Sequence, residues 1–321
     1  MSLSPHDEPA LQKLRDADPS VRRLAVLELA DLEDEDVLPA LAQALGDDGD
    51  RAVRAEAARV LAGWDVAEVV EALAAALLDP EQDVREAAAL SLTELKDPAS
   101  GAVLVPYARH DDAGVRAAAL RALRELRVPE AGDAAIDALA HPEPNVRREA
   151  VSVLGWLRHA PAVPALMGLV RSDPDGSVRR VAAGALGFAE GEAVLPALLD
   201  ALSDPAWNVR EEAATTLAKL RPAAAREALS AAMEDTYWQV RLRAARALGR
   251  LRDAAAVPVL HGALAHEVGN LRKEVALALG EIGDPRSRSP LEGVAEDPDP
   301  EVRKAARIAL AQLAARVEAA P

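Results

Sequence analysis

Apolar residues recur along this chain in a pattern that repeats about every 31 positions. A Val or Leu followed by Arg stands at Val21, Val53, Val84, Val115, Val146, Val178, Val209, Val240, Leu271 and Val302, at intervals of 31 or 32 residues. Counting that residue as zero, position +4 is Ala in nine units and Val275 in the tenth, and position +8 is Leu in all ten. Position +11 is Leu or Ile in eight units, with Trp64 and Ala189 as the exceptions. Positions 0, 4, 8 and 11 share one face of an α-helix, so every unit predicts a helix that buries a narrow stripe of small and aliphatic side chains. Trp64, at a normally aliphatic position, is expected in the core.

The segment ahead of this helix often places Asp and then Pro before the apolar residue, as at Asp18, Pro19 and Val21 or Asp299, Pro300 and Val302. Asp caps a helix and Pro opens its first turn without losing a hydrogen bond. A second apolar segment falls midway between these helices, visible at Val163 to Leu166, Leu195 to Leu198 and Val257 to Leu260. Each unit therefore predicts a helix pair, and ten units occupy residues 1–321 as one domain with no room for a second.

Helix pairs of about 31 residues carrying DPxVRxxAxxxLxxL resemble HEAT repeats, particularly the short bacterial type found in phycobilin lyase subunits. The resemblance implies an all-α fold, a right-handed α-solenoid of about ten stacked helix pairs. It also implies that the second helix of each pair, the one that begins near 21, 53, 84, 115, 146, 178, 209, 240, 271 and 302, lines a concave groove. Residues 1–16 read as a short polar first helix, and Arg303, Lys304, Arg307, Gln312 and Arg316 as the exposed face of the last one. Polar outer faces of this kind are expected at the two ends of a complete array.

Composition narrows the chemistry. With 37 Lys plus Arg against 53 Asp plus Glu, the net charge is −16, which counts against nucleic acid and anionic membrane surfaces as partners. The chain contains no cysteine, which excludes disulfides, thiolate catalysis and Cys-ligated metals. The opening MSLSPHDEPA has neither a basic nor an apolar targeting segment, and no run of 18 apolar residues follows, so a soluble cytoplasmic protein is expected. No GxSxG elbow or glycine-rich phosphate loop is present, and neither enzymatic activity nor a cofactor is expected. Iron-dependent hydroxylases built from similar repeats place His-Glu dipeptides in several units; here His266-Glu267 stands alone, so no metal site is expected.

Charged residues recur with the repeat. Arg stands at +1 in all ten units, and Asp at −5 in seven. This pairing reads as a structural ladder between successive turns, with a row of guanidinium groups facing a phosphate as the alternative. His110, His141 and His266 occupy −5 in the other three units and read as caps favoured by a helix C-terminal dipole.

Aromatic residues number only seven, and the core hardly uses them. Trp156 and Phe188 fall at +10 in consecutive units, where other units carry mostly charged residues, and are expected to be exposed anchors of a binding patch. Trp207 and Trp238 stand at −2, with Tyr237 beside the latter, on one rim of the groove; stacking between successive turns is the alternative. Arg148, Arg180, Arg243, Arg246 and Arg250 add a basic character to this centre. The expected function is a noncatalytic scaffold that binds a protein or peptide, and a mixed basic and aromatic centre suits an acidic or phosphorylated segment. A solvated charged face is the alternative for the arginines. By resemblance, a bilin-lyase-like chaperone and a DNA-binding protein similar to the HEAT-like alkylpurine glycosylases remain as other functions, the second opposed by the net charge.

Overall fold

A computed structural model of the chain describes residues 8–318. Among these residues the chain forms twenty α-helices and no strand. The expected capping segment at the start lies partly outside them: residues 1–7 are not described, and the first helix runs Glu8–Lys13. Contacts between Cα atoms divide the chain into two compact units, Met1–His159 and Ala160–Pro321. In the first, the second helices of consecutive repeats stack in order: Pro19–Ala30, Arg51–Val60, Gln82–Leu92, Ala113–Leu126 and Pro144–Trp156. In the second, the order is Gly176–Ala185, Trp207–Leu220, Trp238–Leu251, Gly269–Ile282 and Pro300–Glu318. Each unit is an α-solenoid of stacked helix pairs.

Local signals place these helices. Asp50 precedes Arg51–Val60 and its Oδ1 accepts the N–H groups of Ala52 and Val53 at 2.8 and 3.3 Å. Asp175 does the same for Ser177 and Val178. Proline sits in the first turn of several first helices, including Leu38–Asp47, Val163–Ser172 and Val257–Ala263, where its missing N–H costs nothing. All ten residues at +4 are buried, as are nine of the ten leucines at +8, with Leu310 half-buried in the last repeat.

Small residues set the spacing between second helices. A Cβ on Gly249 would lie 2.7 Å from the Cα of Ala278, and one on Gly280 would lie 2.8 Å from the Cα of Ala309. Both glycines stand at +9 and let the next helix approach to backbone contact. Buried hydroxyls exploit the same closeness: Ser91 donates to the Ala58 carbonyl at 2.8 Å and Thr216 to the Ala183 carbonyl at 3.0 Å. Trp64 departs from expectation. The helix that should carry it inward ends at Val60, and Gly63, at φ +82°, turns the chain, so the ring is half-buried rather than in the core.

The expected Arg and Asp ladder is present, and it runs from each repeat to the next. Arg22, Arg54, Arg179, Arg210 and Arg272 each grip the −5 aspartate of the following repeat through Nε and Nη2. Their partners are Asp48, Asp79, Asp204, Asp235 and Asp297, at 2.6–3.0 Å. The third nitrogen, Nη1, donates at 2.7–3.0 Å to the backbone carbonyl of the −5 residue in the arginine's own repeat. Each of these aspartates also accepts a backbone N–H two residues on, at 2.8 Å. One guanidinium thus joins two interhelical turns and uses all three of its nitrogens.

Histidine interrupts this ladder. His110, His141 and His266 accept the N–H of Asp112, Glu143 and Val268 on Nδ1, at 3.0, 3.1 and 3.0 Å. They reproduce the turn made by Asp by accepting a backbone N–H, where the dipole-based expectation has them meeting helix-end carbonyls. The arginines that face them, Arg85, Arg116 and Arg241, bond to backbone carbonyls alone.

The five bridged aspartates are held below the usual carboxylate range. At Asp48 and Asp297 the arginine bond is the largest influence. At Asp79, Asp204 and Asp235 burial is the largest and pushes upward, but the arginine and the backbone N–H together outweigh it. A depressed folded-state pKa contributes stability above the unfolded value and loses it as pH falls through the folded value. The urea midpoint should therefore drop steeply between about pH 5 and pH 2. Arg179 and Asp204 are only 13% and 7% exposed, so Arg179→Ala should cost about 1–3 kcal/mol at neutral pH by leaving a desolvated carboxylate uncompensated. It should also flatten the acid dependence; equal slopes for the variant and the parent would contradict the bridge.

Candidate functional site

Positions +2, +3, +6 and +10 of the second helices lie off the buried stripe and form the face on which the candidate residues stand. Charge on this face is organised in pairs between consecutive repeats. Glu56, Glu149 and Glu274, all at +3 and all buried, receive Arg23, Arg121 and Arg246 of the preceding repeat at 2.8, 3.1 and 2.7 Å. This second ladder was not anticipated. Its signal was in the sequence, as Glu at +3 following a unit with Arg at +2 or +6, but it occurs in too few units to stand out beside the invariant arginine.

Each of the five candidate arginines has a carboxylate nearby, in close hydrogen-bond contact at Arg243 and Arg246 and at 3.5–3.9 Å at the other three. In the first unit Arg148 donates to Asn145 Oδ1 at 2.6 Å and lies 3.5 Å from Glu149. In the second, Arg180 lies 3.9 Å from Glu212, Arg243 3.0 Å from Glu211, Arg246 2.7 Å from Glu274 and Arg250 3.8 Å from Glu281. An anionic ligand would have to compete with these internal partners.

The aromatic residues divide into three environments. Trp156 ends its helix in the first unit and is 51% exposed. One side of the ring is covered by the guanidinium of Arg127, 4.9 Å from its centroid, which the left-handed conformation of Arg127 at the end of Ala113–Leu126 brings into place. Phe188, in the second unit, closes a 3-10 turn that follows Gly176–Ala185, and is half-buried where full exposure was expected. The tightened last turn draws the ring toward the protein. Trp207 and Tyr237 stack between successive repeats, with centroids 5.5 Å apart and planes 15° off parallel, and Arg210 of the ladder covers Tyr237 at 5.7 Å. The stack is the alternative anticipated for these rings. Trp238 begins its helix, half-buried, outside the stack.

Exposed leucines were missed. Leu24 and Leu27 stand at +3 and +6 of the first repeat and border a cleft of about 380 Å³ with Pro19, Arg23 and Asp50. Leu90, at +6 of the third repeat, is also exposed. The signal was an apolar side chain off the buried stripe. Among the described residues no three His, Asp or Glu converge to hold a metal ion, and no helix is long and apolar enough to cross a membrane.

The family model of HEAT repeats matches residues 8–62, 43–124, 101–187, 168–239 and 227–311. None of the curated proteins matches the chain. Among solved structures, an engineered protein is 24% identical with a TM-score of 0.56, covering 97% of this chain and 99% of its own. Kap95p in complex with RanGDP is 17% identical with a TM-score of 0.67 over 99% of this chain. Kap95 in complex with Nup1 is 16% identical with a TM-score of 0.65 over 99%. The chain spans about half the length of Kap95, 51% and 52% in the two structures. At these identities the likeness is one of fold.

The stack of Trp207 on Tyr237 should be measurable as a coupling. A double-mutant cycle with Trp207→Ala and Tyr237→Ala, followed by urea unfolding, should return about 0.5–1.5 kcal/mol. Additive effects would place the rings as independent surface groups.

Proposed function

The chain belongs to the HEAT-repeat family, and from that premise we propose that it is a noncatalytic scaffold whose exposed second-helix face binds a partner protein. The observation that carries this reading is Trp156, a large aromatic side chain half in solvent on a face where most of the charges are matched. Burying such a ring against a partner yields more than burying any neighbouring ion pair, which would have to be desolvated. Phe188 offers a second, partly covered aromatic edge. The two solved complexes of Kap95 agree in kind, since that protein binds RanGDP and Nup1.

The charge pattern favours a neutral or basic partner over the acidic or phosphorylated segment suggested by the arginines alone. Each of those arginines already has a carboxylate within 4.0 Å, and the net charge of −16 repels an anion at long range. Arg148, Arg180, Arg243, Arg246 and Arg250 then serve mainly as the partners of acidic side chains, and a ligand that meets them does so as intact pairs. In the sequence, a 32-residue interval between Val146 and Val178 spans residue 159, in keeping with the spacing elsewhere.

Affinity purification from the native source, with the wild-type chain and the double mutant Trp156→Ala and Phe188→Ala, tests the proposal. The variant should lose no more than about 2 kcal/mol of stability, within the range of ordinary partly exposed substitutions. It should weaken a captured partner at least tenfold, as truncated aromatic hot spots do. A folded variant that keeps every partner at full affinity would move the binding surface elsewhere.

A further inference from the structure

Four second helices carry Glu at +3, and three of these carboxylates are tightly held from the preceding repeat. Glu149 and Glu274 take their partner from position +6 of that repeat, where Arg121 and Arg246 stand. Glu56 takes Arg23 from +2 at 2.8 Å. Glu212 is the fourth. In the repeat before it, position +6 is Gly184, and the closest cation is Arg180 Nη1 at 3.9 Å, beyond hydrogen-bonding range. The carboxylate leans into the room that a side chain would take, since a Cβ on Gly184 would lie 2.8 Å from Glu212 Oε1.

Its neighbour does not share this condition. Glu211 is bonded by Arg243 Nε at 3.0 Å, so the nearby cation is spent on the adjacent carboxylate. Burial pushes the Glu212 carboxyl above its ordinary range; Arg180 only partly offsets this, and the Glu211 charge adds to it. The group still reaches solvent, with 31% of its side chain exposed. Phe188 stands four residues beyond Gly184, one turn along the same helical segment, and presents a half-buried ring.

We propose that the Glu212 carboxylate, seated against Gly184 and partly open to solvent, is the binding point for an arginine side chain presented by a basic segment of the partner protein. The incoming guanidinium would supply in trans what Arg121 and Arg246 supply to Glu149 and Glu274 in cis. Its aliphatic stem would lie along Phe188. Arginine is preferred to lysine because the planar fork can bond both carboxylate oxygens, while an ammonium offers a single charged point. A chain of net charge −16 attracts such a segment before contact is made. The inference rests on the protein-binding reading and names the chemistry of one subsite within it.

The test uses the full chain and short peptides, acetyl-Ala-Arg-Ala-amide and its citrulline and lysine counterparts, followed by NMR. The arginine peptide should shift the amide signals of Gly184, Phe188 and Glu212 and lower the midpoint at which the Glu212 carboxyl titrates. The citrulline peptide, which has the same shape without the charge, should bind at least tenfold more weakly, and the lysine peptide more weakly than the arginine one. Glu212→Gln should abolish the response. Gly184→Arg, whose Cβ would push the carboxylate aside, should pair with it in cis and block the peptide; if that variant fails to fold, Glu212→Gln remains decisive. Equal binding of arginine and citrulline, equal binding of arginine and lysine, or an arginine response that survives Glu212→Gln would overturn the proposal. Such a failure would leave the scaffold reading intact, because that reading is tested at Trp156 with a captured partner.

Discussion

In Arg22, Arg54, Arg179, Arg210 and Arg272 a single side chain holds successive turns of this protein together. Its position at +1 puts the guanidinium at the start of the second helix, where Nη1 closes the turn behind it and Nε with Nη2 reach the aspartate of the turn ahead. The aspartate is itself fixed by a backbone N–H, so the bridge forms between two prearranged partners and loses little side-chain freedom on forming. Stacks of helix pairs have only nearest-neighbour contacts. A bond that recurs at the same point in the five bridged junctions therefore sets how firmly those repeats grip the next.

The remaining packing is compatible with that bond because the side chains between second helices are small. Gly249 and Gly280, at +9 of the eighth and ninth repeats, bring the helices to near backbone contact. The hydroxyls of Ser91 and Thr216 then reach carbonyls of the preceding helix. Bulky rings have no place in such a seam, which is why the aromatic residues sit at its margins, as Trp156 at a helix end and Trp207 with Tyr237 at helix starts. The face left over carries ion pairs between repeats, a pattern that fails at Trp156 and at Gly184.

Much of the fold was legible in the sequence because it is written ten times. The buried stripe, the caps and the bridging arginine all recur at fixed positions, so chance resemblance at one unit is overruled by the other nine. Trp64 shows where repetition misleads: its register is that of a core residue, but Gly63 breaks the helix first. The site was less legible because it depends on how one repeat meets the next. Arg246 looked like a free cation until Glu274, 28 residues away, closed on it, and the exposure of Phe188 depended on a local tightening from α-helix to 3-10 turn that no periodic pattern encodes.

The bridge can be tested where the protein itself lacks it. His110 caps its turn as aspartate does but offers Arg85 no carboxylate, and Arg85 bonds only to the Asp79 and Pro80 carbonyls of its own turn. The variant His110→Asp keeps the cap and completes the bridge. Native-state hydrogen exchange should then slow in the helices Gln82–Leu92 and Ala113–Leu126, which this junction joins, with distant repeats unchanged. Unaltered or faster exchange in those two helices would contradict the view that the arginine bridge governs how the repeats cohere.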